Sequence, residues 1–277
     1  MMSRLSNVVK QHPIITFFVL TYMLSWWPVP FGSFIPAGPL VAALIVIPIT
    51  RGRSGLKELG MRMIRWRVRW HWYALAIGLP LAVHLTTVVL NIGLGAPAPS
   101  LAQFSPLSGL IVVFAVRLIN PLDGPMGEEP GWRGFVLPGL QAERSPLLAT
   151  LILGVLVTLW HFPLWIVPQF GASPNDILGD ILGTLGVTFW YTWLFNHTGG
   201  SVLMTIVAHA TEGTIQTEVF WNAGAAAARM SLLYGVVWCV VAIGLIIFDR
   251  KAWRGPAPAG ATTPPVMPPR GAAPVAP

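Results

Sequence analysis

Residues 105–140 read SPLSGLIVVFAVRLINPLDGPMGEEPGWRGFVLPGL, and their placement relative to a membrane decides the fold. The run 105–122 is apolar apart from Arg117, and it approaches the ~20 residues that a helix needs to cross a hydrocarbon core. If the membrane ended at Leu122, then Glu128, Glu129 and Arg133 would lie at the headgroups. If instead the helix continues, with breaks, through Phe135-Val136-Leu137-Pro138-Gly139-Leu140, Glu128 sits roughly 20 Å above the cytoplasmic end at 1.5 Å per residue. On the same scale His161 lies roughly 22 Å, and His209 roughly 12 Å, into later apolar runs. The second reading is preferred because it lets the three groups meet inside the membrane. Pro130 is expected to open a new helical segment, because the residue before a proline is biased away from the α conformation. Broken helices are tolerated at membrane depth where they line a protein cavity.

Outward from this stretch, further apolar runs occupy 14–31, 34–50, 71–94, 146–166, 177–196, 201–217 and 230–248. The expected fold is an all-α polytopic membrane helix bundle of about eight transmembrane helices. Composition agrees: 54% of residues are hydrophobic and 10% charged, where a soluble domain carries about 25% charged residues. The net charge of +7 does not call for nucleic acid. Arg51, Arg53, Lys57, Arg62, Arg65, Arg67 and Arg69 are read as one loop between two apolar runs; Arg4 and Lys10 precede the first run, and Arg250, Lys251 and Arg254 follow the last. This is the positive-inside pattern, and it places both termini in the cytoplasm. The outward segments 95–104, 167–176 and 218–228 contain no Lys or Arg.

The basic N-terminal flank leads into a run without a small-residue cleavage site, so it is read as a first span and not as a signal peptide. Residues 1–254 form the transmembrane domain, with 105–215 as its motif-bearing core. The Pro/Ala-rich tail 255–277 has no periodic apolar pattern and is expected to be disordered. Cys239 is the single cysteine; it excludes an internal disulfide and lies in an apolar run without a charged neighbour to activate it.

Ionisable side chains inside a bilayer are costly and are functional candidates by default. Glu128 and Glu129 are adjacent carboxyls that cannot both ionise cheaply in low dielectric, which suits one of them to take a proton from water. Arg133 stands four residues after Glu129, so that pair can close on one helical face and leave Glu128 as the free base. The competing reading is a buried ion cluster, or three groups at the headgroups. His161 precedes Pro163 by two residues, where a helix hydrogen bond is lost. Glu212 is a further buried acid with no evident partner. Thr198-Gly199-Gly200-Ser201 reads as a helix stop followed by an N-cap serine. The many tryptophans, among them Trp26, Trp27, Trp66, Trp70, Trp132, Trp160 and Trp190, are taken as an interfacial aromatic belt.

These residues resemble a family. Glu128-Glu129-Pro130-Gly131-Trp132-Arg133-Gly134-Phe135 is similar to the E-E-x-x-x-R signature of the CPBP intramembrane proteases, which include type II CAAX prenyl proteases and bacteriocin-immunity relatives. Leu159-Trp160-His161-Phe162-Pro163 is similar to the second motif. Asn196-His197-Thr198-Gly199-Gly200-Ser201 through Ala208-His209-Ala210 resembles the third. The resemblance spans about 105–215 and implies an intramembrane endopeptidase in a bacterial plasma membrane. Its substrate would be a membrane-associated peptide or protein, with prenylated CAAX-type chains as the best-known class. By the same resemblance Glu128 activates the attacking water, Glu129 and Arg133 support it, and His161 and His209 bind the water or the oxyanion. No metal is obligatory in that scheme, although Glu128, His161 and His209 could also form a His₂Glu zinc site with one open position.

Two positions depart from the pattern. Val157 stands where Phe is usual, and Gly213 where Asn is usual, four residues after His209. Loss of that amide motivates the alternative of a catalytically weakened scaffold or immunity protein that binds a peptide or lipid-linked ligand. A proton-coupled transporter is the third reading, but no inverted repeat supports it.

Overall fold

The computed structural model describes residues 2–100, 102–104, 106–167, 172–215, 220–221, 224–258 and 260–262. Among them the secondary structure is helical throughout. A short helix α1 (Met2–Gln11) leads into α2 (Pro13–Trp26), which starts with proline in its first turn, where no intrahelical donor is needed. Then follow α3 (Gly38–Met63), α4 (Trp70–Gly93), α5 (Leu107–Ile119), α6 (Gly124–Gly131), a π-helical turn (Trp132–Val136), and α7 (Leu137–Gln141). The second half comprises α8 (Pro146–Trp160), α9 (Phe162–Ile166), α10 (Pro174–His197), α11 (Val202–Thr214), α12 (Gly224–Phe248) and α13 (Arg250–Arg254).

Each of the eight apolar runs carries a helix. Five segments, Pro13–Phe31, Gly38–Met63, Trp70–Gly93, Leu107–Gln141 and Gly224–Phe248, are long and apolar enough to cross a membrane. Helix α8 is apolar but has 15 residues. Helices α10 and α11 are less apolar because they carry the interior polar groups Asp180, Thr184, Thr188, His209 and Glu212. The end of the run 201–217 falls partly outside the described residues, as do parts of the outward segments 167–176 and 218–228. On α5, by contrast, no residue is buried, and Ile111, Val112 and Ile119 point outward, as a lipid-facing helix requires.

The basic segment 51–69 is not one loop. Helix α3 bends at Gly52, whose φ of 60° is open to glycine, and continues to Met63. Glu58 neutralises two of its arginines, bonding Arg51 at 3.0 Å and Arg62 at 2.7 Å. Arg62 is buried, with its guanidinium 5.6 Å from the Phe195 ring centroid. Apolar periodicity missed this turn of helix because its charges are paired across the bend.

The fourth run behaves as the preferred reading requires, with one correction. The break lies at Asn120–Asp123, and Pro130 sits inside α6 without opening a segment. Asp123 caps α6 through its own side chain, and this sets the break ahead of the proline. The π-helical turn follows directly, and its Trp132 and Phe135 join a buried aromatic cluster with Phe17, Phe18 and Trp160. Trp132, Trp160 and Trp190 are therefore core residues and not belt residues, whereas Trp27, Trp66 and Trp70 are exposed. The glycine stop reads as expected: Gly199 and Gly200 take positive φ, and the Ser201 hydroxyl accepts from Met204 N at 3.3 Å.

Helices α10 and α12 form the most extensive pair in the bundle. They approach through Gly179, Gly183, Gly186 and Gly235, a small-residue contact that suits close packing in lipid. A Cβ at Gly186 would stand 2.6 Å from the Trp238 carbonyl carbon, in the α12 backbone. Gly186→Ala is therefore expected to lower stability by about 1–3 kcal/mol. Thermal unfolding in detergent checks this; an unchanged midpoint would contradict the close approach.

The basic ends of the bundle lie together. Ser201 donates to the Arg65 carbonyl, and His197 Nε2 lies 3.0 Å from Asp249. The first part of the tail also attaches there. Gln141 donates to the Ala261 carbonyl and Arg62 to the Thr262 carbonyl, and Ala261 is fully buried. Residues 263–277 lie outside the described residues.

Candidate active site

The site is built on the start of α6. Asp123 Oδ1 accepts from Gly124 N at 2.8 Å and satisfies a donor that the first helical turn leaves open. One turn later the helix presents two carboxyls in different directions. Glu129 is fully buried, and its Oε1 accepts from Arg133 Nη1 at 3.0 Å, the i, i+4 pair read from the sequence. The same oxygen lies 3.0 Å from His209 Nδ1. With Nδ1 donating to Glu129, the other ring nitrogen of His209 is left to face the cavity.

Glu128 takes no part in that ion pair. Its Oε2 accepts from Trp132 Nε1 at 3.2 Å. Its Oε1 lies 3.0 Å, and His209 Nε2 3.2 Å, from the point where a Gly124 side chain would begin. The absence of a side chain at Gly124 thus leaves the space between the carboxyl and the imidazole open. The Glu128 carboxyl interacts electrostatically with His209, His161 and Glu129. His161 stands at the junction of α8 and α9, where the chain turns before Pro163, and its Nδ1 is buried without a hydrogen-bond partner among the described residues. Glu128, Glu129, Arg133, His161 and His209 all line one cavity of about 870 Å³.

Other members of the site were not legible in the sequence. The Tyr191 hydroxyl donates to Glu212 Oε2 at 3.0 Å, and the Tyr234 hydroxyl to Glu212 Oε1 at 2.6 Å. Glu212 therefore has two partners, which corrects its reading as an acid without one. The Tyr191 ring also stacks on His209, with centroids 5.5 Å apart, and carries the Arg133 guanidinium 4.9 Å from its centroid. In sequence each tyrosine is one ring in a long apolar run; only packing supplies its carboxylate. Asp180 accepts from Trp165 Nε1 at 2.7 Å and joins α9 to α10, whereas Asp176 forms a capping box with Ser173 at the start of α10.

Gly213 lines the cavity, and the space beside it is filled by the guanidinium of Arg117. Val157 is buried in the cavity wall beneath His161. Among the described residues no three His, Cys, Asp or Glu side chains stand close enough together to hold a metal ion. Glu128, His161 and His209 are therefore too far apart to form a zinc triad as they are arranged.

Residues 106–215 match the family described as type II CAAX prenyl endopeptidase Rce1-like. The chain is also 27% identical over 176 residues to CAAX prenyl protease 2 of Methanococcus maripaludis. That alignment covers 61% of this chain and 63% of the relative's length. The matched segment begins ahead of Arg117 and ends past His209, so it encloses all three motifs and the cavity wall they form. Residues 106–215 thus resemble the Rce1-like type II CAAX prenyl endopeptidases, the family of the E-E-x-x-x-R signature.

Proposed function

We propose that this protein is an intramembrane endopeptidase that hydrolyses a peptide bond of a membrane-associated substrate with water activated by Glu128. The observation that carries the reading is a buried carboxyl outside the Glu129–Arg133 pair, facing an open cavity beside two histidines. Glu128 takes a proton from the attacking water as general base. His209, oriented by Glu129, offers Nε2 to the developing oxyanion or to the water, and His161 supplies a second contact from α8. Preorganised donors of this kind act strongly in a water-poor site. Arg133 pairs with Glu129 and holds it in place. The proton taken by Glu128 passes to the leaving amine as the tetrahedral intermediate collapses.

The positive-inside pattern supports an orientation with both termini and segment 51–69 in the cytoplasm of a bacterial plasma membrane. The cavity lining runs from Glu128 past Asp180 to Asp176 and Ser231, at the ends of α10 and α12 away from the basic segments. The substrate accordingly approaches from that half of the bilayer.

The test is cleavage of a fluorogenic prenylated peptide, and of unprenylated peptides of the same sequence, by purified protein in lipid with and without a strong chelator. Cleavage that survives chelation is expected, since no step uses a metal. Loss on chelation with recovery on zinc would overturn the Glu128-water scheme.

A further inference from the structure

Arg117 lies near the end of α5, a helix otherwise without charge. An arginine at membrane depth is costly unless it is paired and faces the protein. Here it has two contacts. Its Nη1 lies 3.3 Å from Asp123 Oδ1. Its guanidinium also rests on Gly213: a Cβ there would stand 2.5 Å from Nη1 and 3.1 Å from Cζ. No side chain at position 213 can coexist with the guanidinium where it sits. Position 213 is one helical turn past His209, on the same face of α11, and it opens on the cavity.

Asp123 connects this contact to the reacting groups. The Oδ1 that faces Arg117 also accepts from Gly124 N. Gly124 in turn abuts both Glu128 Oε1 and His209 Nε2. A continuous path therefore runs from Gly213 through Arg117 and Asp123 to the residue that spaces the carboxyl from the imidazole.

We propose that Arg117 is a positioning residue of the active site. Seated on Gly213, it holds Asp123, and through it the first turn of α6, against Glu128 and His209. Resting on the protease reading above, it takes the place of the side chain that Gly213 lacks. Glycine at 213 is thus a partner of Arg117 and not a lesion. Restoring Asn there displaces the guanidinium and lowers activity.

The test is a double-mutant cycle in the full-length protein, read as kcat and KM on the peptide that the wild type cleaves. Arg117→Gln is expected to lower kcat by about 10²-fold, the effect of a misplacement near 1 Å, with KM within about twofold. Arg117→Lys should recover part of the loss. Gly213→Asn alone should also lower kcat, and adding it to Arg117→Gln should cost little more, because the two act on one contact. Wild-type kcat in Arg117→Gln, or strictly additive losses, would overturn the proposal. A second arm needs no turnover. Gly213→Asn should lower the thermal unfolding midpoint when Arg117 is present and by clearly less in Arg117→Gln, because only the first background has a guanidinium to displace. Equal shifts in the two backgrounds would overturn the contact itself. A wild type that cleaves no peptide would count against the protease reading, and the unfolding midpoints would still decide the Arg117–Gly213 contact.

Discussion

Glu128→Gln is expected to leave the protein folded and to reduce peptide hydrolysis by about 10²–10⁴-fold, the range of a lost general base. The substitution is nearly isosteric. Trp132 Nε1 can still donate to the amide oxygen, so the hydrogen bond that Glu128 accepts from the π-helical turn is retained. Glu128 is not part of the Glu129–Arg133 pair, so no buried counter-ion is stranded. What disappears is the capacity to take a proton from water. The measurement is kcat on a fluorogenic peptide, with thermal unfolding and size exclusion in the same detergent as folding controls. Retained hydrolysis in a folded Glu128→Gln protein would remove Glu128 from the role assigned to it.

Arg133→Met is expected to act the other way, on the fold before the chemistry. Glu129 is fully buried, and Arg133 is nearly so, which makes this an ion pair closed off from solvent. Breaking such a pair from one side typically costs about 3–5 kcal/mol, because a charge is left without compensation. His209 remains as a partner of Glu129 but loses its orientation, and the contact of the guanidinium with the Tyr191 ring is lost as well. Arg133→Lys keeps the charge but not the planar fork, so an intermediate loss is expected. The double replacement Glu129→Leu with Arg133→Met should recover most of the stability and none of the activity, since paired apolar residues often replace a buried ion pair at little cost. Thermal unfolding of the four proteins decides it. A midpoint for Arg133→Met within about one degree of wild type would show that the pair contributes nothing to the fold.

Taken together, the two predictions assign adjacent carboxyls to different work. Sequence spacing suggested that division, because position 133 follows 129 by one turn while 128 has no such partner. The His209–Glu129 contact could not be foreseen at that level. It joins residues 80 apart, and it forms only because α11 crosses α6 at the height of the site. The same holds for Gly213. As a letter it reads as a missing amide; in the fold it is the seat of Arg117, a residue 96 positions earlier (213 − 117).

The number and order of the apolar runs, the presence though not the place of a break in the fourth of them, the Gly-Ser turn before α11 and the i, i+4 pair of Glu129 with Arg133 were all determined by the sequence alone. Each depends on local properties: hydrocarbon length, glycine at positive φ, a capping hydroxyl and helical spacing. Tertiary structure decided which carboxyl meets which histidine, that Tyr191 and Tyr234 hold Glu212, that Trp132 and Trp160 are core residues, and that the basic segment after Gly52 is helix. Those outcomes depend on how α3, α6, α10 and α11 pack against one another. In a chain with so few charges, packing assigns each buried polar group its partner, because lipid offers none.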